Sequence, residues 1–127
     1  MLALRSPLEA YRKVHFDARV EAASARELVS LCYEQLDSAL ASALISHEAL
    51  DNAAKSRAIT RALSSVTALQ LGIAGEAGVA GALRIFYEAA RRTLLDNAIG
   101  FDSAAIGALR RDFAEIAEAL SANLGAG

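Results

Sequence analysis

The chain is 127 residues long and 54% hydrophobic, enough apolar material to bury one core but too short for two independent ones. Its formal charge of -2, from 13 Lys and Arg against 15 Asp and Glu, gives no sustained attraction to a phosphate backbone and excludes nucleic acid as the expected partner. Thirty Ala and eighteen Leu against one Pro and no Trp favour helix over strand, so the expectation is a single all-α domain spanning 1–127.

In chain order, Pro7 suits the first turn of a short helix reaching about Phe16, with Ser6 as its cap. Residues 1–23 read as a mobile N-terminal segment. The apolar residues ahead of Arg5 and Pro7 are too few for a signal peptide, and no apolar run approaches the roughly 20 residues of a membrane span, so a cytoplasmic protein without membrane insertion is expected. Ser24-Ala-Arg-Glu27 is a capping-box pattern, and from it a stripe runs through Leu28, Leu31, Cys32, Leu36, Ala39, Leu40 and Ala43. Cys32 is the lone cysteine and has no partner for an intramolecular disulfide. That helix should end near Leu50, where Asp51-Asn52 offers a break and a new cap.

A second stripe, Ile59, Ala62, Leu63, Val66, Leu69 and Ile73, stops in the glycine-bearing stretch Gly72 to Gly78. A third, Val79, Ala82, Leu83, Phe86, Ala90 and Leu94, runs to Asn97, after which Gly100 permits a left-handed exit and Asp102 caps a last helix. The last stripe is Ile106, Leu109, Phe113, Ile116 and Leu120. Four amphipathic helices with short connections can hide their stripes only against one another. An antiparallel four-helix bundle follows, with the short N-terminal helix as an accessory, a bundle core of 24–122 and a flexible tail of 123–127.

Catalytic and metal templates fail on residue type. Neither His15 nor His47 has a Glu three residues before it, and HExxH, CxxCH, Walker-loop and GxSxG patterns are missing, so no enzyme, cofactor or metal site is expected. His47 on a long bundle helix suggests an alternative from another class, a histidine phosphotransfer signalling domain. The lysine and glycine that usually follow such a histidine are absent from Ser46-His47-Glu48-Ala49-Leu50, and a packed or half-exposed histidine is the blander account. The glycines at 72, 75, 78 and 81 lack both the preceding strand and the Lys-Ser/Thr pair of a phosphate loop.

Four blocks stand in a telling order: Ala10-Tyr11; Glu27-Leu28-Val29-Ser30-Leu31-Cys32-Tyr33-Glu34; Lys55, Ile59, Arg61 and Ala62; and Phe86-Tyr87, Arg91-Arg92-Thr93 and Asn97. In this combination the chain resembles the FliS family of flagellar export chaperones. It departs from the family at Thr93, where leucine is usual, and in the glycine-rich 72–81 stretch. The resemblance implies binding without catalysis: a chaperone that holds the disordered C-terminal segment of flagellin, prevents premature polymerisation and assists flagellar type III export. It also implies an anti-sigma factor and export-gate components as further partners. In the family the N-terminal tyrosine segment lies over part of the client groove, which makes Tyr11 a candidate. The groove itself is expected among Tyr33, Leu40, Ile59, Leu63, Val66, Leu83 and Tyr87, of which Tyr33 and Tyr87 suit a groove edge because a phenol wants a wet or hydrogen-bonded end.

Overall fold

The computed structural model describes residues 9, 10, 13, 25–73 and 78–126. Four helices account for nearly all of them: α1 (Ala25–Glu48), α2 (Asn52–Leu71), α3 (Gly78–Ile99) and α4 (Ser103–Ala126). The expected all-α bundle is the observed fold. Of the expected N-terminal helix, Glu9, Ala10 and Lys13 are helical, and Glu9 lies 3.5 Å from Arg57 of α2. The α4 backbone is helical to Ala126.

The short links set the antiparallel order. α1 ends in a Schellman arrangement: the Asp51 N–H donates to the Ser46 carbonyl at 2.9 Å and the Leu50 N–H to the His47 carbonyl at 3.1 Å. Leu50 stands at φ 58°, where glycine is the usual occupant. Asp51 then caps α2 by accepting from the Ala54 N–H at 3.0 Å, as its position suggested.

The α3–α4 link differs from expectation. Among the described residues positive φ occurs only at Leu50 and Gly78, so Gly100 makes no left-handed exit. The buried Asn97 organises this turn instead. Its Nδ2 donates to the Thr93 carbonyl at 2.8 Å while its Oδ1 accepts from the Asp102 N–H at 2.6 Å. The Asp102 carboxylate in turn accepts from the Ala104 and Ala105 N–H groups, the cap the sequence indicated.

The core follows the stripes. Ala39 and Ala43 of α1 and Ala58 and Ala62 of α2 are all fully or almost fully buried, and such small side chains suit the extensive packing of these two helices. Leu36, Leu40, Val66, Leu94 and Ile106 fill the layers between. α4 packs on α1 and α3 on α2, whereas α3 and α4 touch only lightly. On α3 the buried face is Tyr87, Ala90, Leu94 and Asn97. The stripe residues Val79 and Ala82 are exposed and Phe86 is only half-buried, because the start of α3 has no close neighbour on the α4 side.

Candidate functional site

That light contact leaves an opening. A cavity of about 860 Å³ lies at the end of the bundle where α1 and α3 begin and α2 and α4 finish. Each helix contributes apolar wall: Val29 and Tyr33 from α1, Leu69 and the following Ile73 from α2, Val79, Leu83 and Tyr87 from α3, and Phe113, Ala117 and Leu120 from α4. Four rings, Tyr33, Phe86, Tyr87 and Phe113, cluster between α1, α3 and α4. Phe113 meets Tyr33 edge-on at 5.7 Å between centroids, Phe86 at 4.7 Å and Tyr87 in a near-parallel stack at 6.2 Å. These ring contacts join α3 to α4 beside the opening.

The phenols join at their tips: Tyr33 Oη and Tyr87 Oη lie 2.6 Å apart. Burial raises both ionisations, that of Tyr33 well above the ordinary tyrosine range; the bond between them adds to the rise at Tyr33 and offsets part of it at Tyr87. Burial also raises the Cys32 thiol, so neither phenols nor thiol are poised as nucleophiles. At the rim Asp37 takes both Arg110 Nε at 2.8 Å and Nη2 at 3.3 Å, fastening α1 to α4. The carboxylate holds the guanidinium even more firmly protonated than usual. Half exposed as they are, the pair is worth about 0.2–1 kcal/mol. Gln70 reaches Glu88 at 3.2 Å and Arg84 reaches the Ile73 carbonyl at 3.1 Å, which ties α2 to α3 beside the opening.

Of the residues singled out in the sequence, Tyr33, Leu83 and Tyr87 come together in this cavity. Leu40 and Val66 are wholly enclosed and Ile59 nearly so, all in the core cluster, while Leu63 packs half-buried against that cluster outside the cavity. Tyr11 lies outside the described residues. Sequence reasoning missed Val29, Ile73, Phe113, Ala117 and Leu120 as wall. Val29 carried a usable signal, being an apolar side chain off the α1 stripe; the α4 residues carried none, since nothing in a stripe says where its partner helix leaves it. His47 is half-buried at the opposite end, its Nδ1 accepting from Lys55 Nζ at 3.2 Å and its ring 4.4 Å from that of Phe101, with Lys55 itself over Phe101. The histidine thereby fastens the α1–α2 turn to the α3–α4 link.

No group of three or more His, Cys, Asp or Glu able to hold a metal occurs among the described residues, and no helix there is long and apolar enough to cross a membrane. What the cavity offers chemically is apolar contact, one hydroxyl pair and a sparse polar rim, the features of a groove that takes the apolar side chains of a helix. A family model described as flagellar protein FliS matches residues 7–122. Neither the curated proteins nor the solved structures compared with the chain include a match.

Proposed function

We propose, for a chain that belongs to the flagellar protein FliS family, that its client is the C-terminal segment of flagellin, held at the open end of the bundle. Membership makes the protein a flagellar export chaperone in general terms; the identity of the client is the proposal. The observation that carries it is the apolar cavity between α3 and α4, which a compact bundle without a partner would close. A segment disordered in the free monomer gains apolar burial by folding its hydrophobic stripe into such a cleft. The ordering cost offsets part of that gain and keeps the complex releasable at the export machinery. Binding covers the stripe that would otherwise pack in a filament, so premature polymerisation is suppressed without chemistry.

The same reading places the protein in the cytoplasm, upstream of type III export, with an anti-sigma factor and export-gate components as further partners. The test is co-elution of the protein with monomeric flagellin on size exclusion, alongside flagellin lacking its C-terminal segment. A one-to-one complex with the intact chain alone supports the reading, and equal behaviour of both flagellins sinks it. The half-buried packing of His47 favours no phosphotransfer reading.

A further inference from the structure

The cleft is not uniformly apolar: besides the polar residues of its rim it is lined by two tyrosines whose hydroxyls use only part of their hydrogen-bonding capacity. Tyr33 is 8% exposed and Tyr87 2%, and both line the cavity with their hydroxyls 2.6 Å apart. A hydroxyl donates once and accepts up to twice, so two hydroxyls bonded to each other spend one proton of their two. Their bond to each other is the only hydrogen bond either side chain makes among the described residues, which leaves one O–H donor and spare lone pairs on two residues that line the cavity. Because burial holds both phenols protonated, this donor is present throughout the physiological pH range.

We propose that the tyrosine pair is a specificity element, selecting a client helix whose apolar stripe carries one uncharged hydrogen-bonding side chain (Asn, Gln, Ser or Thr) opposite Tyr33 and Tyr87. The inference rests on the reading of the cleft as a client site and adds the chemistry the client must bring. A helix in the groove has satisfied its own backbone carbonyls except in its last turn, so the partner for the spare proton is a side chain. A carboxylate is disfavoured beside the pair: it would shed its hydration against Phe113 and Leu83, and of the cations near the cavity Arg110 is taken by Asp37, which leaves Arg26 to draw an acidic side chain only where it lines the cavity near the start of α1. An uncharged amide or hydroxyl costs less to bury, and the pair supplies both a donor and acceptors for it.

The experiment uses designed Leu/Ala amphipathic helical peptides with a single Gln walked along the apolar stripe, each matched to a Met version. Every peptide is titrated into the wild-type chain and into Tyr33→Phe/Tyr87→Phe, with helical content of the protein checked by circular dichroism. In one register the Gln-to-Met affinity ratio should fall about five- to tenfold on losing both hydroxyls, the worth of about one neutral hydrogen bond. The single variant Tyr87→Phe keeps the Tyr33 hydroxyl with its proton and should retain most of the coupling. Ratios that are the same in wild type and double variant at every register, or failure of the whole series to bind, overturn the proposal. The outcome is independent of whether flagellin is the client, since a flagellin tail that failed to bind would leave the peptide ratios unaffected.

Discussion

Leu50 is held in the left-handed region at φ 58° by the Schellman hydrogen bonds that end α1, and its side chain is 85% exposed. For a residue with a Cβ this conformation costs about 1–2 kcal/mol. Replacing it with glycine removes that cost but restores about 0.5–1 kcal/mol of extra freedom to the unfolded chain. With so little of the leucine buried, almost no apolar contact is lost. The net expectation for Leu50→Gly is a stabilisation of about 0.5–1 kcal/mol, or an increase of roughly 2–4 °C in Tm for a domain of this size. Leu50→Ala keeps the Cβ and the strain, and should stay within about 0.5 kcal/mol of wild type. Thermal and urea unfolding by circular dichroism measure both. A glycine variant less stable than wild type, or an alanine variant equally stabilised, would refute the reasoning, because strain would then not be what separates them.

Phe113, 3% exposed at the centre of the ring cluster, should cost about 3–5 kcal/mol on truncation to alanine, while Ile85→Ala on the exposed outer face of α3 should change stability by less than about 0.5 kcal/mol; urea midpoints decide. The tyrosine pair predicts alkaline sensitivity. Both ionisations are raised in the fold, so up to about pH 10 folded and unfolded chains hold these protons alike; above it the unfolded chain releases them first and stability falls as pH climbs. The Tyr33→Phe/Tyr87→Phe variant should lose most of that decline, and an identical slope in urea titrations between pH 9 and 11 would count against it.

The parts of the fold that follow from local rules were legible in the sequence. Asp51 and Asp102 were readable as caps because an acidic side chain ahead of an apolar stripe has one economical use, and the stripes of α1 and α2 were readable because each buries its partner along its length. Where the structure adds to or departs from the sequence pattern, the cause is tertiary. Gly100 suggested a left-handed turn, yet a side chain three residues earlier, Asn97, reaches across and closes the link without one. Leu40, Ile59 and Val66 were grouped with Tyr33, Leu83 and Tyr87 because all lie on stripes; periodicity says which face is apolar, not whether another helix covers it. The relative placement of α3 and α4 separates enclosed core from open cleft, and that placement, with four aromatic rings from three helices meeting beside the opening, is a tertiary feature no single stripe encodes.

The central claim, that the cleft between α3 and α4 takes the flagellin C-terminal segment, is tested most directly by calorimetric titration of that segment into wild type, Val29→Glu and Ile85→Glu. Val29 stands on the cleft wall and Ile85 on the outer face of α3, both exposed enough for the substitutions to be tolerated. One-to-one binding with a negative heat-capacity change is predicted for wild type, weakened at least about tenfold by Val29→Glu and altered less than about twofold by Ile85→Glu. No heat at either of two temperatures, or equal weakening by both variants, would contradict it.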